Sequence, residues 1–181
     1  MNRKRLLPIV VLIAAVCLLS VTLQVPQVPE VSYTTDFGVE IHVSVWQWRD
    51  DVLLVYSHHA GVLTDLGADW IEDQLGDSPA TEPAKWIAVS DDSGSPATGW
   101  IVIPVEITTN GMTRASGTYA DDGTGQWNIT KSFSPTGTGS CQLTGLYWAS
   151  TGDFLLCADT FTQINYESGD TVQIRWTITV S

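Results

Sequence analysis

Apolar and polar residues alternate without interruption along one segment of this chain, residues 172–180. A period of two places successive side chains on opposite faces, which is typical of a β-strand with one buried face. The same alternation occupies residues 37–45, and shorter apolar segments between the two are separated by turns rich in Gly, Asn and Asp. About eight short strands with short connections predict an all-β fold, a single antiparallel β-sandwich.

Residues 64–75 form the one good helix candidate. Thr64 is placed to cap the first turn, acidic Asp65 suits that turn, and Gly76 is placed to end the helix. The apolar side chains of the segment share one helical face: Leu66, Trp70, Ile71 and Leu75. We expect a short helix that packs on one sheet or plugs one end of the sandwich.

Residues 6–23 are an uncharged, mostly apolar run, just long enough to span a bilayer as a helix. The basic residues at 3–5 favour a cytoplasmic start, with the rest of the chain outside the cytoplasm. An uncleaved anchor and a cleaved signal are both compatible with this pattern. The proline-containing residues 24–36 predict an extended stalk, and residues 37–181 are then the extracytoplasmic domain.

The formal net charge is −12, and every acidic residue lies at or after Glu30. An acidic domain disfavours nucleic-acid binding and a peripheral grip on anionic lipid, because both need a positive surface. The acidity favours solubility instead. The expected partners are therefore the membrane through residues 6–23, other copies or other surface proteins, and a glycan.

Few residues suggest catalysis. His58 and His59 are adjacent and would point to opposite faces of a strand, and His42 lies on another segment, so no metal site is predicted. No serine-centred nucleophile motif occurs. The sequence predicts no catalytic residue, no metal and no cofactor, and hence a non-enzymatic protein. A hydrolase built by convergence of distant residues is the remaining enzymatic alternative.

Cys141 and Cys157 are two cysteines of the expected extracytoplasmic domain. In an oxidising compartment they are candidates for a disulfide, and two buried thiols are the equal alternative. Asn128 begins an Asn-Ile-Thr acceptor sequence for N-glycosylation. It lies opposite the apolar Trp127 and Ile129, so we expect it to be exposed.

Trp46 and Trp48 fall on the face of their strand opposite the apolar one. Exposed, they would form a binding platform on which a sugar or a neighbouring subunit could stack. Alternatively, a second layer of the same domain covers them.

Several turn and strand signatures occur in a characteristic order, at residues 58–59, 63–67, 86–90, 106–118, 143–147, 152–156 and 169–170. This order resembles small virion structural and tail-fibre-like proteins of tailed bacterial and archaeal viruses and proviruses. The resemblance covers roughly residues 37–181 and implies a β-rich building block of a particle or appendage. It carries no functional residues with it. Such tail proteins usually lack an apolar segment like residues 6–23. This segment fits a similar domain on a cell surface or in a viral envelope better than it fits a tail fibre.

Two functions follow as hypotheses. The first is a non-enzymatic structural subunit of a surface or virus-like assembly that adheres or self-associates, with a new strand adding to the edge at residues 37–48. The second is a surface module that binds carbohydrate or protein through Trp46 and Trp48.

Overall fold

The computed structural model describes residues 38–76 and 83–180 of the protein. The predicted helix at 6–23 and the predicted stalk at 24–36 lie outside these residues. Within them, no helix is long and apolar enough to cross a membrane. The elements in chain order are β1 (Val39–Arg49), β2 (Val52–Ala60), β3 (Val62–Leu63), α1 (Asp65–Leu75), β4 (Trp86–Ser90), β5 (Ala115–Ser116), β6 (Thr118–Asp121), β7 (Gln126–Phe133), β8 (Gly139–Tyr147), β9 (Leu155–Tyr166) and β10 (Thr171–Val180).

The strands form two five-stranded sheets. Sheet A has the order β2-β1-β10-β7-β6, and sheet B has the order β3-β9-β8-β4-β5. All neighbouring strands are antiparallel. The predicted all-β class with one short helix is confirmed. The strand number differs from the expected eight or so, partly because β3 and β5 contain only two residues each.

Both sheets contribute to one apolar core. Val43 and Trp176 from sheet A and Ile87 and Leu146 from sheet B are fully buried in it. Burying a side chain of this size stabilises a fold by about 1.5–3 kcal/mol relative to leaving it in water. The alternation of β1 and β10 therefore has the predicted result, since their apolar faces meet sheet B.

The β1–β2 hairpin turns at Asp50 and Asp51, which have φ angles of 48° and 63°. Two successive left-handed residues make the two-residue turn whose twist matches antiparallel strands, and aspartate tolerates this conformation better than most residues. A bulge interrupts the pairing between Gln47 and Trp48. Leu54 is left without a partner at the bulge, and pairing continues on both sides of it, from Val55 towards Ala60 and at Leu53 and Val52. The predicted hairpin is confirmed.

Helix α1 packs on sheet B through its first turn. The Thr64 hydroxyl donates to the Leu155 carbonyl oxygen at 2.6 Å and accepts from the Gly67 N–H at 2.9 Å. A Cβ atom at Gly67 would lie 2.1 Å from the Leu156 carbonyl oxygen, so glycine is needed for this close approach. The predicted helix, its Thr64 cap and its end at Gly76 are confirmed.

The apolar run at residues 100–105 is not a strand. It belongs to an irregular segment, 91–114, in which Trp100, Val102 and Ile103 pack on the outer face of sheet B. Ile103 is buried there, and its N–H donates to the Tyr147 hydroxyl at 2.8 Å. Burial raises the pKa of Tyr147 to about 12. This segment gives sheet B a second apolar layer.

Arg114 holds the end of this segment. Its guanidinium donates to both carboxylate oxygens of Glu106 and to the Gly152 carbonyl oxygen at 3.1 Å. The same group lies 3.6 Å from the centre of the Tyr147 ring. Only 6% of the Arg114 side chain is exposed. The largely buried ion pair with Glu106 joins two parts of the irregular segment, and the contacts with Tyr147 and Gly152 tie that segment to β8 and to the connection after it.

Candidate functional site

The outer face of sheet A differs from that of sheet B. The outward side chains of β10 are all partly exposed, whereas its inward side chains from Val172 to Ile178 are buried. Side chains of β7 and β10 pair across the strands on this face: Gln173 with Ser132 at 3.0 Å, Arg175 with Thr130 at 3.3 Å, Thr177 with Asn128 at 2.6 Å, and Gln126 with Thr179 at 3.1 Å. Such pairs stabilise the sheet and leave a surface of hydroxyl and amide groups.

Trp46 and Trp48 also lie on this outer face. The register of β1 with β10 pairs them with Gln173 and Thr171, which are outward residues. Both indoles are half-buried, and sheet B does not cover them because it packs on the opposite side of β1. Tyr56 of β2 pairs with Trp46 and is 56% exposed. We call Trp46, Trp48 and Tyr56 the aromatic face.

The rings of the aromatic face are in contact range of one another. The centroids of Trp46 and Trp48 are 6.3 Å apart with their planes within 10° of parallel, and Tyr56 lies 5.5 Å from Trp46. The guanidinium carbon of Arg175 lies 5.2 Å from the Trp46 ring centre. A cation beside an indole is a favourable electrostatic contact. The aromatic face therefore has one positive group at its margin.

β2 is an edge strand of sheet A, and β1 lies between β2 and β10. The expectation that a new strand adds to residues 37–48 is therefore wrong, because both sides of β1 are already paired. The free edge belongs to β2 instead. Its apolar side chains are exposed to an unusual extent: Val52 59%, Leu53 50%, Leu54 47% and Tyr56 56%.

The hydrogen-bond pattern shows which main-chain groups of β2 face the open edge. The Gly61 N–H donates to the Ile41 carbonyl oxygen at 2.8 Å. In an antiparallel ladder, hydrogen-bonded and non-hydrogen-bonded pairs alternate. The N–H and C=O groups of Tyr56, His58 and Ala60 therefore point away from β1, to the edge where sheet A ends.

The histidines of β2 point to opposite faces, as predicted. His58 stacks on His42 with ring centroids 5.3 Å apart, and its Nδ1 lies 2.8 Å from the Ser44 hydroxyl. His59 contacts Ser57 instead. Among residues 38–76 and 83–180, no three His, Cys, Asp or Glu side chains lie close enough together to hold a metal ion.

A serine and a histidine meet on the inward side of β2. The Nε2 atom of His59 lies 2.6 Å from the Ser57 hydroxyl, and buried Asp159 lies on the neighbouring β9. Burial raises the pKa of the Asp159 carboxyl, with the Thr160 N–H and the charge of His59 opposing the shift. Within the described part of the chain, no carboxylate accepts a hydrogen bond from His59, so the pair lacks the orienting acid of a catalytic triad.

An apolar cleft of about 290 Å³ lies beside α1. Trp70, Ile71, Trp127 and Leu156 line it, and none of the described residues around it has an ionisable side chain. It therefore supplies no acid, base or charged nucleophile.

Cys141 and Cys157 are buried free thiols, which is the second of the two alternatives that the sequence left open. Cys141 pairs with Ile164, and Cys157 pairs with Leu146 on the same two strands. The two cysteines are thus separated by about 16 Å along the ladder, whereas a disulfide needs Cα atoms within about 7 Å. Burial raises the pKa of Cys141 to about 12 and that of Cys157 well above its ordinary value.

Asn128 is 7% exposed, contrary to the exposure that we expected. It does lie opposite Ile129 on β7, but its side-chain oxygen accepts a hydrogen bond from the Thr177 hydroxyl at 2.6 Å. We expected exposure from the alternation of apolar and polar residues along β7 alone. Neighbouring side chains of β10 and β6 bury the outward position, which makes Asn128 a poor glycosylation acceptor in the folded chain.

A charged cluster that the sequence analysis missed joins β1 to the turn before β10. Buried Asp170 accepts from Gln47 Nε2 at 2.8 Å and from Arg49 Nε at 2.7 Å. The hydrogen bond from Arg49 is the main reason that the pKa of Asp170 is well below its usual range. The available signal was Gln47, a polar residue at an inward position of the alternating β1.

Comparisons of the chain with protein-family models, with curated proteins and with solved structures give no match. The features of the described residues that bear on function are the aromatic face, the polar pairs beside it and the open edge of β2.

Proposed function

We propose that this protein is a non-enzymatic, extracytoplasmic structural subunit of a surface or virus-like assembly, and that it self-associates through the open edge of β2. The observation that carries the proposal is the exposure of an uncharged, largely apolar edge strand in a strongly acidic chain. Residues 6–23 would hold the subunit at the membrane, and residues 24–36 would space it from the surface.

Apart from a bulge at Leu54, the β2 edge lacks the usual devices that prevent pairing. Natural edge strands carry charges, prolines or bulges that block a second chain. β2 contains no Asp, Glu, Lys, Arg or Pro, and its bulge ends before Val55. Two copies of β2 can pair antiparallel without bringing like charges opposite each other, so a second copy is the partner that we propose.

The resemblance to virion structural and tail-fibre-like proteins supports an assembly role. Subunits of such assemblies work by repeated contact, and an exposed sheet edge provides that contact through main-chain hydrogen bonds. An anchor at residues 6–23 would place the assembly on a cell surface or an envelope.

Sedimentation of the full chain in detergent across a concentration series tests this proposal. Tyr56→Lys places a charge on the β2 edge, and Ala60→Pro removes an N–H that faces the edge without breaking a bond to β1. Both variants should shift the distribution towards monomer. The matched control is Tyr119→Lys, because Tyr119 is 63% exposed on β6, the other edge of sheet A. Equal association of all four proteins would contradict the proposal.

The outer face of sheet A favours a second candidate function, an adhesive module that binds carbohydrate. Aromatic rings next to hydroxyl and amide groups can stack on a sugar ring while hydrogen-bonding to its substituents. Replacing Trp46 and Trp48 together with alanine should abolish binding to a glycan array without loss of circular dichroism. Unchanged binding by the double variant would exclude the aromatic face as the binding site.

A further inference from the structure

We propose that the aromatic face, together with Arg175, binds glycans that carry carboxylate groups, such as polymers of uronic acids. This inference rests on the second candidate function and names its ligand class. It concerns a flat surface whose chemistry differs from that of the rest of this acidic chain.

Arg175 is positioned for an external anion. Arg49 and Arg114 each make an ion pair within the protein, with Asp170 and Glu106 respectively. Among the described residues, Arg175 has no acidic partner, and its one side-chain hydrogen bond runs from Nε to the Thr130 hydroxyl at 3.3 Å. Its two terminal nitrogens are left to bind a carboxylate, whose two oxygens match the fork of a guanidinium.

The strands around Arg175 bring few carboxylates to this face. The outward positions of β7 and β10 hold only Thr, Ser, Asn, Gln and Arg175 itself. On β1, Glu40 is the acidic residue that the register places outward, opposite Thr179. Arg175 pairs with Ser44 of β1. Glu40 is four residues before Ser44, so the two positions are separated by about 13 Å along β1. A carboxylate bound at Arg175 would therefore lie closer to the guanidinium than to the carboxylate of Glu40.

Arg175 and the aromatic face are close enough to act on one sugar residue. The guanidinium lies 5.2 Å from the Trp46 ring centre, and Tyr56 lies 5.5 Å from the same indole. A pyranose ring that stacks on these side chains places its substituents within reach of Arg175 and of the hydroxyl and amide groups of β7 and β10. A neutral sugar would use the stacking and these hydrogen bonds without a charge pair, so the carboxylate should give a preference for the acidic form.

Calorimetric titration of the full chain with oligomers of galacturonic acid and of galactose tests the inference, because the two differ at the carboxylate. We expect the wild type to bind the acidic oligomer about tenfold more tightly, as one charge-assisted hydrogen-bonded pair provides. Arg175→Gln should abolish the preference, so that its affinities for the acidic and the galactose oligomer become equal. Trp46→Ala should weaken binding to both oligomers.

The matched control is Lys131→Gln, which removes one positive charge at a position that pairs with inward Ile174 and should keep the preference. Equal affinities for the two oligomers, with no effect of Arg175→Gln, would overturn the inference while the carbohydrate-binding function stands. Failure of the wild type to bind either oligomer would overturn both.

Discussion

Asp170 and Arg49 form a bidentate pair, with Arg49 Nε at 2.7 Å from one carboxylate oxygen and Nη2 at 2.9 Å from the other. The aspartate side chain is fully buried, and the Glu167 N–H also donates to it at 3.1 Å. The pair joins the end of β1, next to Trp48, to the turn that starts β10. It therefore fixes the end of sheet A at which the aromatic face lies.

Removing the charge of Asp170 should destabilise the fold. Asp170→Asn loses a charge-assisted acceptor while Arg49 and Gln47 stay in place, so we expect a loss of about 2 kcal/mol in the free energy of unfolding by urea. Glu167→Gln is the control, because Glu167 contacts the same arginine but is 48% exposed, and it should cost at most about 1 kcal/mol. Equal losses in the two variants would mean that burial of the pair has no energetic consequence.

Acid should weaken the fold through the same group. The pKa of Asp170 is lowered in the folded chain, so below the ordinary aspartate value of about 4 the unfolded chain binds a proton that the folded chain does not. This contribution is complete above about pH 5 and is lost as the pH falls towards the lowered pKa. Urea unfolding at several pH values should show this loss, and Asp170→Asn should reduce the slope. If Asp170→Asn has the same slope of unfolding free energy against pH as the wild type, other carboxyl groups cause the acid sensitivity.

Loss of Arg114 should release the segment that covers sheet B. Arg114→Ala leaves Glu106 without its partner in a largely buried position, so we expect about 3 kcal/mol of destabilisation. Limited thermolysin digestion should then cut within residues 91–113, where the wild type resists. Arg114→Lys should be intermediate, because lysine cannot donate to both oxygens of Glu106 in the same geometry. If Arg114→Ala resists thermolysin as well as the wild type does, the apolar contacts of Ile103 are sufficient to keep the segment on sheet B.

The two buried thiols should be unreactive in the folded chain and free in the unfolded one. Cys141 and Cys157 have raised pKa values, so little thiolate is present at neutral pH, and burial blocks access. Alkylation without reductant, followed by mass spectrometry, should label both cysteines only in denaturant. If both stay unlabelled until a reductant is added, they are joined by a disulfide and the β8–β9 register is different.

Much of the fold was predictable because its strongest signals are local. The alternation of β10 and β1, the Asp50–Asp51 turn, and the Thr64 and Gly76 boundaries of α1 each depend on neighbouring residues. The irregular segment at 100–105 was not predictable in the same way. Its apolar residues have no period, and their burial depends on Tyr147 and Leu155, which are distant in sequence.

The candidate site was predictable only in part. Alternation placed Trp46 and Trp48 on the outward face, but the contacts of Trp46 with Tyr56 and Arg175 depend on the strand order of sheet A. That order also makes β2 the edge, which no local pattern reveals. Asn128 shows the same limit, because its burial comes from neighbouring strands.

Amide hydrogen exchange of the full chain at low and high protein concentration tests self-association through β2 most directly. The N–H groups of Tyr56, His58 and Ala60 have no partner within sheet A, so they should exchange quickly in the dilute protein. Pairing with a second copy should slow these three amides as the concentration rises, and the amides of β6 should keep their rates. Fast exchange of Tyr56, His58 and Ala60 at a concentration where the protein is associated would contradict the account, because the contact would then lie elsewhere.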